Sequence, residues 1–402
     1  MSATPQGPEA VSNDAARGSL DTPVAGSGKV ARLLRDASGR IDLKSLDFQA
    51  LQNWVRDELH EKPFRARQLW KWMWQKGARS FDEMTDLARP LRERLSALAF
   101  LPFLHPDLIL KSDDGTMKFL WRLEDGFVIE SVLIPDDGRL TLCVSSQVGC
   151  AMACTFCLTG DIGLRRHLKA SEIANQALQV QRQLPEGTRI TNLVMMGMGE
   201  PLHNLGQLIP ALRICLDDDA LNFSHRKVTV STVGLVPRMA ELAAALPVNL
   251  AVSLNATTEE QRRAIMPITR KYSLEELLEA CRQFPMPRHK RITFEYVLLA
   301  GHNDSLDDAE RLCGLLRGIP AKVNLIPYNE NPDRPLRRPA DAVIKAFQHY
   351  LLQKGMNTSV RATRGLDISA ACGQLGKARQ QAIDQGWLDD ARRIAGLPTE
   401  PR

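Results

Sequence analysis

The spacing of apolar residues divides the chain into three parts. Residues 1–44 are rich in Ser, Gly, Ala, Pro and Asp without a regular apolar period, which predicts a disordered leader. Residues 45–112 show helical spacing, for example at Leu51, Val55 and Leu59, and predict a small N-terminal helical domain. Residues 113–375 predict a core of strands and helices, followed by a C-terminal extension over 376–402.

The core pattern predicts βα units around a parallel sheet, which is either a barrel or a doubly wound fold. Two strands closed by a turn at 135–138 come first. Further strand-like runs lie near 140–146, 190–196, 227–232, 249–254, 291–298, 322–327 and 358–362. Helical stretches lie near 171–184, 205–217, 236–246, 273–284, 305–317 and 341–354. In a βα barrel the reactive residues lie at the carboxyl ends of the strands.

Composition is that of a soluble globular protein, with 44% hydrophobic and 25% charged residues among 402. We see no signal peptide or transmembrane span and therefore expect a cytoplasmic protein with no membrane partner. The net charge of +5 is compatible with a nucleic-acid partner. Eight cysteines in a reducing compartment favour metal or thiol chemistry over a disulfide framework.

Three cysteines stand close together as Cys150, Cys154 and Cys157 in a C-x3-C-x2-C pattern. Closed zinc sites and fully held iron–sulfur clusters use four ligands, so a triad leaves one position open for a substrate. This spacing resembles the signature of the radical S-adenosylmethionine (SAM) superfamily. The alternative is a zinc site completed by His167 or a distant cysteine, although zinc ribbons and fingers use paired C-x2-C spacing.

Other polar residues follow the predicted strands and are expected on the same rim as the triad. They are Gly199 and Glu200 after the second strand, Ser253 to Asn255 at the fourth, and Asn329 after the strand near 322–327. Glycines at such a position let a backbone approach a ligand closely. The segment is not a dinucleotide fingerprint, because Leu202 stands where the third glycine would be.

The five remaining cysteines divide into three sets. Cys372 lies in a polar, glycine-flanked segment that predicts a mobile loop, where a thiol can react. Cys143 precedes the triad on a strand and can equally be a buried packing residue. A third set lies on apolar faces of predicted helices and is assigned to packing: Cys215, Cys281 and Cys313.

Basic residues interleaved with aromatic ones suit a nucleic-acid surface, and the N-terminal domain has such a stretch. It contains the tryptophans Trp54, Trp70, Trp72 and Trp74 and the cations Lys62, Arg65, Arg67, Lys71 and Lys76. The favoured interpretation of the indoles is a helical core, whereas an RNA role for the basic face stays open. Further basic groups could hold RNA or simply face solvent: Arg165/Arg166/His167, Arg288/His289/Lys290/Arg291 and Arg337/Arg338.

Six ordered motifs together resemble the RlmN family, whose members are dual-specificity 23S ribosomal RNA and transfer RNA adenine-C2 methyltransferases. The motifs are Leu142-Cys-Val-Ser-Ser-Gln-Val-Gly-Cys150, Met196-Gly-Met-Gly-Glu-Pro201, Val228-Thr-Val-Ser-Thr-Val-Gly234, Ser253-Leu-Asn255, Val323-Asn-Leu-Ile-Pro-Tyr-Asn329 and Ala370-Ala-Cys-Gly-Gln-Leu375. The resemblance covers about residues 45–375. Cfr enzymes, which methylate carbon-8 of the same rRNA adenosine, share most of these motifs and are the alternative.

The resemblance implies a partial (β/α)6 TIM-like barrel of the radical SAM type and a role for each matched residue. Cys150, Cys154 and Cys157 would hold a [4Fe-4S] cluster. The SAM site would comprise Gly199, Glu200, Ser231, Ser253, Leu254, Asn255 and Asn329. Cys372 would be the methylated cysteine, Cys143 its resolving partner and Glu130 the proton acceptor. Without the resemblance, Glu130 is an ordinary strand carboxylate.

The resemblance also implies the reaction partners. Two SAM molecules would be used per turnover, one to methylate Cys372 and one to generate the radical that activates the methyl group. A one-electron reductant of the flavodoxin type would supply the electron. The substrates would be 23S rRNA, in its peptidyl transferase region, and the adenosine beside the anticodon of tRNA. The target base would have to leave its stack to reach the barrel rim. We expect a monomer.

Overall fold

A computed structural model describes residues 34–286, 290–332 and 334–376 of the chain. Most of the leader, the extension from residue 377 onward, and two of the predicted cations, Arg288 and His289, lie outside this description.

The main feature is a ten-stranded sheet in which seven consecutive strands are parallel. The parallel strands are β6 (Arg139–Cys143), β9 (Asn192–Met195), β10 (Val228–Thr232), β11 (Asn249–Ser253), β12 (Ile292–Leu298), β13 (Ala321–Pro327) and β14 (Thr358–Val360). Three antiparallel strands extend the β6 edge: β5 (Val128–Asp136), β4 (Met117–Arg122) and β3 (His105–Lys111). The sheet order runs from β14 to β9 and then through β6, β5, β4 and β3.

Helices connect the parallel strands as the alternation predicts. They are α4 (Ala170–Gln183), α5 (Leu205–Leu216), α6 (Val236–Ala245), α7 (Glu259–Ile265), α8 (Leu274–Gln283), α9 (Leu306–Leu315) and α10 (Asp341–Gln353). Only α7 was not expected from the sequence, because seven residues are too few for a clear helical period. The six crossovers and seven strands confirm the partial-barrel class and exclude the doubly wound alternative, since strand order follows chain order without reversal.

Alternation along the strands separates a packed outer face from a polar inner face. In β10, Val228 and Val230 are fully buried towards the helices. Their neighbours Thr229 and Ser231 line cavities enclosed by the sheet. One of these cavities is lined by residues of β6, β9, β10, β12, β13 and β14, so the sheet must curve around it. The interior of this barrel is therefore partly open to a ligand.

The N-terminal helices pack on the barrel, and their buried residues are continuous with its hydrophobic core. They are α1 (Phe48–Asp57), α2 (Phe64–Trp74) and α3 (Arg89–Leu98). Trp54, Trp70 and Trp74 are buried, which confirms the core interpretation of three of the four indoles. Trp70 also joins the two units, because its Nε1 donates to Asp217 at 3.0 Å.

Two predicted boundaries differ from the structure. Within residues 34–44, assigned to the leader, Leu34, Ile41 and Leu43 are buried, and β1 (Ile41–Asp42) pairs with β2 (Ala99–Phe100). The sequence pattern missed this because a two-residue strand shows no period. Strand β3, assigned to the helical domain, belongs to the large sheet. Two-residue strands β7 (Gln147–Val148) and β8 (Arg166–His167) form a separate pair beside the barrel. In the described ranges no helix has the length and apolar character needed to span a bilayer.

Candidate functional site

Two adjoining cavities occupy the barrel interior and its rim. The smaller, of about 150 Å³, lies at the carboxyl ends of the strands and is lined by the cysteine triad and the glycine-rich segment after β9. The larger, of about 570 Å³, is lined by inward residues of the strands and by the segment after β14. Cys157, Glu295, Asn329 and Cys372 line both cavities. A group held in one cavity is therefore next to a group held in the other.

The cysteine triad is presented by an irregular loop between β7 and β8. Cys154 is buried, whereas Cys150 and Cys157 are partly accessible. Ala153 adopts a left-handed φ of 52°, which turns the chain sharply between the first cysteine, Cys150, and the second, Cys154. The loop is tied to the barrel because Thr155 N donates to Ile265 O at 3.0 Å. Burial raises the pKa of the Cys150 thiol to about 12, and a bound metal would favour its thiolate form.

Three thiols on one loop of a shared cavity fit an iron–sulfur cluster that keeps one iron open. No three His, Cys, Asp or Glu side chains converge on a single-ion site anywhere in the described part of the chain. A cluster does not need such convergence, because each of its thiolates binds a different iron. His167, the proposed fourth ligand of a zinc site, does not line the cavity; its Nδ1 lies 2.9 Å from Gln147 Nε2.

The Gly199-Glu200 segment lines the small cavity directly opposite the triad loop. Gly199 has φ 102°, and an added Cβ would lie 2.6 Å from the Cβ of Gln147, so only glycine fits. The Glu200 carboxylate accepts from Leu202 N at 3.0 Å and from Val233 N at 2.9 Å. Burial nevertheless raises the pKa of Glu200 to about 7.

The other predicted SAM residues divide into those that reach the small cavity and one that does not. Ser231, Ser253 and Asn255 line it. Asn255 adopts φ 57° and its Oδ1 accepts from Val297 N at 2.8 Å, which fixes the turn after β11. Leu254 is fully buried and is absent from the lining, so its contribution is packing beneath the turn.

Cys372 lies on a turn that several hydrogen bonds hold in the site. Asn329 Nδ2 donates to the Cys372 carbonyl at 3.0 Å, and Leu158 N donates to Gly373 O at 2.8 Å. Thr159 Oγ1 donates to Leu375 O at 2.8 Å. The segment is a loop without helix or strand, anchored to the triad loop on one side and to the end of strand β13 on the other. Its predicted mobility stays a prediction.

Cys143 and Cys372 both line the large cavity, and both are free thiols. Each interacts electrostatically with Arg361 and Glu295, which line the same cavity. Burial raises the pKa of Cys372, while the Arg361 guanidinium opposes that increase. Ser231 Oγ donates to Glu295 Oε2 at 3.1 Å, and this bond fixes the carboxylate between the two cavities. The structure thus brings together two cysteines that are far apart in sequence.

Glu130 lies behind the Cys372 loop and lines neither cavity. Its Oε1 accepts from Gly376 N at 2.9 Å, and its Oε2 lies 3.6 Å from the buried Lys118 Nζ. It shares a strand face with Val132 and Ile134, which do line the large cavity. Its proton-acceptor role stays a prediction, and in this arrangement it requires the loop around Gly376 to move.

Three functional-looking residues escaped the sequence analysis: Glu295, Arg361 and Arg262. Glu295 was detectable, because it is a carboxylate within the apolar strand Ile292–Leu298. Arg361 directly follows the last strand, so its position at a strand end could have identified it in the same way as Asn329. Arg262 had none, since it stands in an ordinary charged helix. It is buried and donates to Val233 O at 2.7 Å and to Leu254 O at 3.1 Å, joining two strand ends below the triad.

The large cavity is the more basic of the two. Arg139, Lys322, Arg361 and Arg364 line it together with Asp136. The lining of the small cavity contains no lysine or arginine. Cations on a ligand-accessible wall suit a phosphate-bearing substrate.

Several of the basic residues proposed from sequence for RNA contacts have acidic partners. Arg67 and Lys71 both pair with Asp219, at 3.0 and 3.3 Å. Arg166 forms a bidentate pair with Glu172, and Arg338 pairs with Asp341 at 2.7 Å. The aromatic stretch offers one half-buried indole: Lys76 Nζ lies 3.5 Å from the ring centroid of Trp72. An RNA role for these groups stays a prediction.

The cysteines assigned to packing behave as expected. Cys215 and Cys281 are buried in α5 and α8, and Cys313 is half-buried in α9. Their thiols line neither barrel cavity.

Comparison with known proteins adds a family to this geometry. Residues 41–101 match the family model described as ribosomal RNA large subunit methyltransferase N-terminal domain, and residues 144–313 match that of the radical SAM superfamily. A dual-specificity RNA methyltransferase RlmN of Pelobacter propionicus is 52% identical over 90% of this chain and 99% of its own length. The protein of the same name from Geobacter sulfurreducens is 55% identical, over 83% of this chain and 92% of its own.

A solved structure is similar throughout. The radical SAM methyltransferase from Sphaerobacter thermophilus superimposes with a TM-score of 0.78 at 43% identity, covering 83% of this chain and 98% of its own.

Proposed function

Because the chain belongs to the RlmN family of dual-specificity RNA methyltransferases, we propose that it methylates carbon-2 of adenosine in 23S rRNA and in tRNA. The observation that carries the proposal is that Cys372 lies in the wall between a cavity suited to a cluster and SAM and a larger basic cavity suited to a nucleotide. A thiol in that wall can take a methyl group on one side and deliver it on the other.

The cysteine triad would hold a [4Fe-4S] cluster, and SAM would occupy the remaining small cavity. When bound, the cluster supplies the electron for reductive cleavage of SAM. Glu200 would accept a hydrogen bond from the SAM amino group, and Gly199 would allow the backbone to approach it. Ser231, Ser253, Asn255 and Asn329 supply polar groups around the same space. Leu254 would support the turn that presents its two neighbours.

Cys372 would receive a methyl group by displacement, so that an S–CH3 bond forms as the sulfonium S–CH3 bond of SAM breaks. This step needs a thiolate, and Arg361 stabilises the anion at that position. The 5′-deoxyadenosyl radical from a second SAM would remove a hydrogen atom from that methyl group, and the resulting S–CH2 radical would form a C–C bond to carbon-2 of the adenosine. The adduct would lose one electron, for which the cluster would be the acceptor, and its carbon-2 proton, which would pass to Glu130 after the loop around Gly376 moves. Cys143 would then attack the sulfur of Cys372, so that an S–S bond forms, the C–S bond to RNA breaks and the released carbon takes a proton to become the methyl group.

The RNA would enter the large cavity, where Arg139, Lys322 and Arg364 would face the backbone phosphates while the flipped adenosine reaches Cys372. A flavodoxin-type protein would supply the electron, the enzyme would act as a monomer, and an RNA substrate favours a cytoplasmic location. The carbon-8 reaction of Cfr enzymes is not favoured, since the relatives above carry the RlmN name.

The test is an anaerobic reaction of the reconstituted protein with SAM, a one-electron reductant and either an rRNA fragment or tRNA. Mass spectrometry of the digested RNA should give 2-methyladenosine from both substrates. Formation of 8-methyladenosine alone would contradict the proposal. A protein that binds zinc, lacks iron–sulfur absorption and leaves RNA unmodified would exclude the radical reaction altogether.

A further inference from the structure

A buried polar network stands directly behind the Gly199-Glu200 segment. At its centre is Gln147, which is fully buried at the start of β7. Its Oε1 accepts from Glu200 N at 2.8 Å. Its Nε2 lies 2.9 Å from His167 Nδ1 and 3.3 Å from His203 Nδ1. The amide oxygen of Gln147 thus binds the backbone of Glu200, which faces the small cavity, and its amide nitrogen contacts two imidazoles.

The amide geometry determines the state of both histidines. An amide Nε2 is a donor only, so each Nδ1 that it contacts must be an acceptor. Both rings are therefore neutral and have their proton on Nε2. Burial lowers the pKa of His167, and burial together with His167, Arg238 and Lys271 lowers the pKa of His203 to about 4. Two neutral rings stacked edge to face, with centroids 5.0 Å apart, agree with this arrangement.

Packing adds a steric restraint to the same segment. The Cβ, Cγ and backbone N of Gln147 would lie 2.6 to 2.9 Å from a Cβ at position 199. Ser146 N and Gln147 N also donate to Met198 O, at 2.8 and 3.1 Å. Gln147 therefore determines both the position and the direction of the Glu200 amide group.

We propose that Gln147, held by His167 and His203, is the positioning residue of the SAM site. It orients the Gly199-Glu200 backbone so that Glu200 meets the amino group of SAM. The inference rests on the proposed function and extends it to residues that do not contact SAM. None of the three side chains lines the small cavity, so their effect must pass through the Glu200 segment.

The test uses Gln147→Leu in the anaerobically reconstituted holoenzyme. Calorimetric titration should show SAM affinity reduced about tenfold, the size expected for a lost buried hydrogen bond. Reductive SAM cleavage driven by dithionite should show a similarly raised KM with kcat within about twofold at saturating SAM. Iron content should match that of the unaltered protein, because Gln147 contacts none of the three triad cysteines.

A matched control is Gln179→Leu. Gln179 is equally buried in α4, its Nε2 has no hydrogen-bond partner among the described residues, and it is remote from the site. A second pair tests the imidazole. His203→Asn keeps an acceptor near the Nδ1 position and should restore most of the affinity that His203→Phe loses. The double variant Gln147→Leu/His203→Phe should bind SAM no more weakly than the weaker single variant, because both act through one network.

SAM affinity in Gln147→Leu equal to that of the unaltered protein or of Gln179→Leu would overturn the inference. So would a loss confined to kcat, or equal losses in His203→Asn and His203→Phe. If the unaltered holoenzyme bound no SAM, the proposed function itself would be contradicted, and the two failures are thus distinguishable.

Discussion

The two barrel cavities differ in chemistry although they share a wall. The small one is lined by thiols, glycines, hydroxyls and the carboxylates of Glu200 and Glu295, without lysine or arginine. The large one has four cations and strand threonines such as Thr141 and Thr293. The small cavity suits a compact group held by close backbone approach, whereas the large one suits a polyanion held by charge. The reaction depends on the few residues common to both, above all Cys372.

Cys372→Ala should have the largest effect. It should abolish RNA methylation without changing the binding of SAM and iron in the small cavity. Methylation of RNA should fall by at least about three orders of magnitude, because Cys157, the other described thiol that lines both cavities, is assigned to the cluster. Binding of SAM and iron in the small cavity should persist. Nucleoside mass spectrometry measures the first and calorimetry the second. Cys313→Ala, at a half-buried cysteine far from the site, should retain activity; equal loss in both variants would argue for a general thiol effect.

Cys143→Ala should stop the reaction one step later. Without a thiol to attack the sulfur of Cys372, the RNA should remain covalently attached, and denaturing electrophoresis should show a protein–RNA band. Cys143→Ala/Cys372→Ala should form no such band. Normal turnover of Cys143→Ala would show that resolution does not use this cysteine.

Charge reversal at Lys322 and Arg364 should weaken the binding of RNA in the large cavity without affecting the small cavity. We expect RNA affinity to fall about tenfold to a hundredfold and the slope of log affinity against log salt to decrease by about one to two. SAM binding should be unchanged, since neither residue lines the small cavity. Arg89→Glu on α3, whose partner is Glu93 on the same helix, is the exposed control. Unchanged RNA affinity in Lys322→Glu/Arg364→Glu would place the RNA elsewhere, with the N-terminal basic face as the next candidate.

The smallest expected effect is a pH dependence of SAM binding in the small cavity, without a matching pH dependence of RNA binding. The pKa of Glu200 is raised to about 7 by burial, so this carboxyl is increasingly protonated below pH 7 and loses its attraction for the SAM ammonium. SAM affinity should rise by up to about tenfold from pH 6 to pH 8. RNA affinity should change little over that interval, because neither cavity lining contains a histidine. A Glu200→Gln protein should show weak, pH-independent SAM binding in the same titration.

Local signals were enough for most of the barrel. Each parallel strand is a short apolar run, and each long crossover has a clear helical period, so chain order and element type followed from residues 139–362. The prediction failed where elements are too short to have a period, as in β1 and α7, and where a strand pairs with distant residues, as in β3. Such elements exist because of tertiary pairing rather than local preference.

The sequence by itself determined the chemical inventory: three thiols at cluster spacing, a glycine-carboxylate turn, and a distant reactive cysteine. Side-chain identity and close spacing are local properties, so they are the same in any fold that places the strand ends together. Only the tertiary structure decided which groups meet. It brought Cys143 and Cys372 close to Arg361 and Glu295. It placed Glu130 and Leu254 outside the linings of both cavities. It also placed Gln147 behind Glu200. Those contacts depend on sheet curvature and on loops that cross the barrel, so the spacing of the residues along the sequence does not predict them.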